Sequence, residues 1–103
     1  MAAKLSLTFS ESATSDLEGL LAYYDEQGAP DAGKRIVARI VKKTEKLINH
    51  PSMGRVVPEF GLEQLREIID PPFRIIYVKE KSKVRVVRVW RSERLLKLEE
   101  EEQ

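Results

Sequence analysis

The chain predicts an α+β domain: an N-terminal strand, a two-helix hairpin and a C-terminal three-stranded antiparallel meander that together form one sheet. Three observations predict it. Apolar residues alternate at period two near the start, recur at helical spacing through the middle, and return to strand-like runs from Leu65 onward. Gly28 and Pro30 divide the helical stretch into two, and Pro71-Pro72 and the turn at 79–83 divide the last stretch into three. A length of 103 residues accommodates one domain with one core, spanning 1–103.

The elements follow in order. Leu5, Leu7 and Phe9 alternate with polar neighbours, which is the pattern of a half-buried strand. Ser10 is a good N-cap, and Glu11, Asp16 and Glu18 suit the N-terminal half of a helix. Ala13, Leu17, Leu20, Leu21 and Tyr24 form its apolar stripe, and Gly28 ends it. Pro30 begins the second helix, where its missing N–H costs nothing. Ile36, Val37, Ile40, Val41, Thr44, Leu47 and Ile48 form the second stripe, while Lys34, Arg35, Lys42, Lys43 and Lys46 line the outer face. Asn49-His50-Pro51 ends it, because a residue before proline avoids helical backbone. A loop through Gly54, Pro58 and Gly61 leads to strands at 65–70, 73–79 and 84–90. Leu95, Leu96 and Leu98 predict a short terminal helix, and 97–103 an acidic, frayed tail.

Composition narrows the function classes. There is no cysteine, hence neither a disulfide framework nor a thiolate metal site. The single histidine, His50, excludes a His-rich metal centre, and its place at a helix end reads as a cap or a surface residue. No metal or other cofactor is expected. The start lacks a signal-peptide core and no run approaches a membrane span, so the expectation is a soluble, cytoplasmic protein without membrane partners.

A formal net charge of +1 hides an asymmetry. Residues 1–26 hold one lysine against five acids, a net of −4. Residues 79–97 hold eight cations against Glu80 and Glu93, a net of +6, before the run Glu99 to Glu102. Lys79, Lys81 and Lys83 fit either a basic surface or a hairpin end guarded against edge pairing. Arg66, Arg74, Arg88 and Arg91 sit among apolar strand residues, where an arginine costs free energy unless paired. They predict a cationic face that takes an anion, either a nucleic-acid backbone or an acidic protein.

Gly54-Arg55, Pro58-Glu59, Leu65-Arg66-Glu67, Phe73-Arg74-Ile75-Ile76-Tyr77 and Val87-Arg88-Val89-Trp90-Arg91 follow one another behind two helices. In that order, over nearly the whole chain, they resemble the RelE/ParE superfamily of bacterial type II toxins. The resemblance implies one of two activities: RelE-like members cut mRNA in the ribosomal A site, whereas ParE-like members inhibit DNA gyrase without a known catalytic site. It also implies a cognate, co-encoded antitoxin that wraps the toxin in a hetero-oligomer, and an association with plasmid stabilisation and growth inhibition. For the nuclease branch, Glu59 and Arg74 match the expected glutamate and arginine, and Arg91 supplies a further cation for the phosphate.

The third expected group, a His or Tyr towards the chain end, is missing: Trp90 stands near the usual histidine, and Leu95 and Leu96 follow Arg94. Cleavage by 2′-OH attack needs a proton acceptor, a proton donor and a cation. Arginine stays protonated and tryptophan does not titrate, so no donor is in view. The reading therefore favours the ParE-like branch, with the nuclease as alternative and a non-toxic basic nucleic-acid-binding module as a further one. In a binding role the residues are Arg66, Arg74, Arg88, Arg91, Arg94 and Trp90. Arg74 pairing with Glu67 or Glu59 is compatible with such a role. Trp90 reads as a core or interface aromatic rather than a base-stacking platform. The acidic tail is either solvated or folded back over the basic sheet.

Overall fold

A computed structural model describes residues 5–91. Its elements are β1 Ser6–Phe9, α1 Glu11–Glu26, α2 Pro30–Glu45 continued by a 3-10 turn Lys46–Ile48, β2 Arg55–Val56, β3 Leu65–Asp70, β4 Phe73–Lys79 and β5 Lys83–Arg91. One sheet holds all five strands in the order β1-β5-β4-β3-β2. The expected α+β arrangement is present. Three details differ. β1 lies parallel to the last strand, β5 is one residue longer at each end than expected, and the loop before β3 contributes a two-residue strand. Two residues are too short to show a period. Arg94, the terminal helix and the acidic tail lie outside the described residues.

Local chemistry places the helices. The Ser10 hydroxyl accepts from the Ala13 N–H at 3.0 Å, a standard N-cap. The same hydroxyl donates to the Val87 carbonyl at 3.0 Å, which ties the start of α1 to β5. Gly28 has φ 76°, a backbone region open to glycine, and it turns the chain from α1 into α2. Ala13, Ile40 and Leu47 bring the helical layer onto Ile75, Tyr77 and Val86 of the sheet, all fully buried. The Pro71–Pro72 peptide is cis and joins β3 to β4.

One irregularity decides which side chains face the core. Tyr77 pairs with Val86 but Ile76 pairs with Arg88, so Val87 is an extra residue in β5. Strict alternation from Val84 and Val86 would send Arg88 and Trp90 into the core. The bulge returns Val89 to the core and leaves Arg88 and Trp90 on the other face.

Candidate functional site

The face of the sheet away from the helices carries a row of charged side chains built on adjacent strands. Arg55 of β2 stands opposite Glu67 of β3, and Arg74 of β4 lies diagonal to it, paired in register with Ile69. Glu67 is buried, and a buried carboxylate needs partners. It has two: Arg55 Nε donates to Oε2 at 2.7 Å and Arg74 Nε to Oε1 at 2.7 Å. The far side of the Arg74 guanidinium grips Glu59, with Nη1 to Oε2 at 3.0 Å and Nη2 to Oε1 at 3.1 Å. Arg74 thus gives a donor from each of its three nitrogens to two carboxylates, and the row Arg55–Glu67–Arg74–Glu59 alternates in sign.

The electrostatics follow from these contacts. The Arg74 hydrogen bonds hold the Glu59 carboxyl below its ordinary value of 4.5, with a smaller push from Glu59's own backbone. Glu59 and then Glu67 raise the Arg74 guanidinium further, against the opposing effect of burial. Glu59 stands on the loop between β2 and β3, with its side chain 56% exposed, whereas that of Arg74 is 10% exposed. Both ends of the row are exposed, the Arg55 guanidinium at one and the Glu59 carboxylate at the other. Phe60 and Leu62, on the same loop, are also exposed.

Arg88 and Trp90 continue this face on β5. Trp90 is the register partner of Arg74, and the Arg88 guanidinium lies 4.9 Å from the Trp90 ring centroid. Arg88 is also held by Asp16 of α1, through Nε at 2.9 Å and Nη2 at 3.0 Å. That pairing raises the Arg88 guanidinium above its ordinary value.

Arg66 and Arg91 are elsewhere. Their register partners are Tyr77 and Phe73, so both sit on the face that carries the core. Arg66 binds the neighbouring loop, donating to the carbonyls of Glu63 at 3.0 Å and Gly54 at 2.8 Å and to the Glu63 carboxylate at 2.7 Å. Arg91 lies 5.9 Å from the Phe73 ring centroid. The residues singled out for nuclease chemistry are thus divided: Glu59 and Arg74 meet directly, and Arg91 belongs to the opposite face. The four strand arginines do not make one cationic array, because Arg66, Arg74 and Arg88 are each neutralised by carboxylates.

Sequence reasoning passes over three participants. Asp16 reads only as a helix-favouring acid, and nothing local links it to Arg88, 72 residues away. Arg55 appears as part of a motif, but its grip on Glu67 depends on the short β2. Tyr77 is fully buried; its hydroxyl accepts from the Gly54 N–H at 2.9 Å and donates to the Pro51 carbonyl at 2.8 Å, and burial pushes its pKa up. A Cβ on Gly54 would lie 2.6 Å from the Glu67 carbonyl oxygen, so only glycine fits there. Among the described residues no group of His, Asp or Glu is arranged to hold a metal ion, and no helix is long and apolar enough to cross a membrane.

Comparison with known proteins identifies the architecture. Residues 7–96 match the family model described as the ParE toxin of the type II toxin–antitoxin system parDE. No curated protein sequence matches. The fold is similar to a chain of the chromosomal ParDE toxin–antitoxin system from P. aeruginosa, at 20% identity and a TM-score of 0.72, covering 85% of this chain and 96% of that one. It is similar to the YoeB dimer from Staphylococcus aureus at 16% identity and a TM-score of 0.56, covering 84% and 94%. It is also similar to a chain of the E. coli DinJ–YafQ toxin–antitoxin complex at 13% identity and a TM-score of 0.58, covering 90% and 98%.

Proposed function

This chain belongs to the ParE toxin family of type II toxin–antitoxin systems, and we propose that it arrests growth by binding DNA gyrase stoichiometrically, with no chemistry of its own. A co-encoded antitoxin neutralises it by wrapping the toxin in a hetero-oligomer. The observation that carries the gyrase reading is the bidentate contact between Glu59 and Arg74.

A nuclease of this architecture needs a base, a proton donor and a cation free to meet the scissile phosphate. Glu59 is the only carboxylate of the pair with solvent access, and Arg74 keeps its pKa below the ordinary range. A general base works best with a pKa near the operating pH, so this is a shift in the unhelpful direction. While both carboxylates hold it, Arg74 has three of its five N–H donors committed and its charge balanced, which disfavours a role as the phosphate's cation. Trp90, its neighbour in register, cannot give a proton. Tyr77 is committed to backbone partners on the core side.

The test uses purified toxin in two assays. Inhibition of gyrase supercoiling, or trapping of cleaved DNA, with ribosome-bound mRNA left intact, is the expected result. Cleavage of ribosome-bound mRNA that disappears in Glu59→Gln or Arg74→Ala would overturn it. A loss of roughly 10²–10⁴ on removing Glu59 is the size that marks a general base.

A further inference from the structure

Among the described residues, a further concentration of charge lies on α2, away from the row on the sheet. Arg35, Arg39, Lys42 and Lys46 recur at spacings of four, three and four along α2 and its 3-10 continuation, so they share one face, and all four are exposed. Lys34 and Lys43 flank them. Asp70 of β3 holds Arg39 at 3.0 Å and Lys43 at 3.5 Å. Among the described residues no carboxylate lies within ion-pair distance of Lys34, Arg35, Lys42 or Lys46.

An ordinary solvated helix intersperses signs so that neighbours one turn apart attract. Here Arg35 and Arg39, Arg39 and Lys43, and Lys42 and Lys46 are like-charge neighbours four apart, each pair destabilising the helix. α1 is the opposite case: its acids are Glu11, Asp16, Glu18, Asp25 and Glu26, and it has no Lys or Arg. α2 has two acids of its own, Asp31 one turn before Arg35 and Glu45 near its end, so the basic ridge is the stretch from Arg35 to Lys42 with Lys46 beyond.

We propose that this ridge docks on the backbone of double-stranded DNA without reading its sequence. The eleven residue steps from Arg35 to Lys46 span about 16 Å, a length over which a duplex presents roughly ten phosphates. A straight row of cations suits a regular array of phosphates. The ridge holds no aromatic residue, so it lacks the stacking platforms by which single strands are held. The proposal stands apart from the gyrase reading, since binding to naked duplex requires neither gyrase nor ribosome.

The test is fluorescence anisotropy of a short labelled duplex with the purified full chain across about 50–200 mM salt. Four phosphate contacts predict a log–log slope of roughly −3.5, a fall in affinity of about a hundredfold over that range. The triple variant Arg35→Gln, Lys42→Gln, Lys46→Gln should retain a slope of roughly −1. It should also melt no lower than wild type, because the like-charge pairs Arg35–Arg39 and Lys42–Lys46 are gone. The control Lys81→Gln, Lys83→Gln, Arg85→Gln, at the β4–β5 turn, should bind as wild type. Equal loss in both triple variants would overturn the proposal by showing a general charge effect. Tighter binding to a single strand, or to polyglutamate of matched charge, would overturn it in favour of a different partner.

Discussion

Glu59 titrates below an ordinary glutamate because Arg74 holds both of its oxygens. The sign of the consequence is fixed. With the folded pKa depressed, the contact adds stability above the ordinary value of 4.5, and that stability is lost as pH falls through the folded value. The size is small, since Glu59 is half-exposed: about 1 kcal/mol or less. Glu59→Gln should therefore unfold slightly more readily than wild type at neutral pH, with the gap closing in acid. Urea titrations at several pH values read this directly. A gap that stays constant with pH would place the effect in hydrogen-bond geometry and not in the carboxylate charge. The same contact holds the loop between β2 and β3 to the sheet, so the variant should also expose that loop to proteolysis.

At the level of elements, α1 is fastened to the sheet by a few polar contacts as well as by packing. β1 pairs with β5 only from Lys83 to Val86. Beyond that point the edge of β5 would present bare backbone groups, a hazard for edge-to-edge association. Ser10 and Asp16 of the helical layer take over: Ser10 donates its backbone N–H to the Val86 carbonyl and its hydroxyl to the Val87 carbonyl, and Asp16 accepts from the Val89 N–H at 2.8 Å. Asp16 also accepts two hydrogen bonds from Arg88. Asp16→Ala leaves the Val89 N–H and the Arg88 guanidinium without this partner, at a cost of about 2–3 kcal/mol. Asp16→Asn, which keeps one acceptor, should cost less. Hydrogen exchange at the Val89 amide separates the two explanations for any loss: selective acceleration there points to an uncovered edge, whereas uniform acceleration points to weakened packing of α1.

The whole molecule is a sheet with helices on one face, an internally neutralised row of charges on the other, and a helical layer split into an acidic and a basic half. Exposed Leu21 and Tyr23 on α1 add apolar surface to that layer. That apolar surface suits a partner that brings an amphipathic segment, as the proposed antitoxin does. Induced expression of the chain alone should arrest growth of a bacterial host, and co-expression of its antitoxin should restore it. Growth curves with the folded, soluble protein verified on gels decide the matter. Unimpeded growth at full expression would count against toxin activity in this chain.

Much of this was legible before any coordinates. Period two in Leu5, Leu7 and Phe9, helical stripes on both sides of Gly28, and turn residues at 71–72 and 79–83 depend on neighbours a few residues apart, so the sequence by itself determined the elements, their order and the family resemblance. The ends of β3 and β4 agree with the structure for the same reason. Only the tertiary structure decided what the arginines meet. Glu59 and Glu67 both close on Arg74, Asp16 reaches Arg88, and Arg91 turns to the core side, through contacts spanning loops or most of the chain. A single extra residue at Val87 places Arg88 and Trp90 outside the core, because in a strand one residue of register exchanges the two faces, and no local pattern in the sequence marks where that residue is inserted.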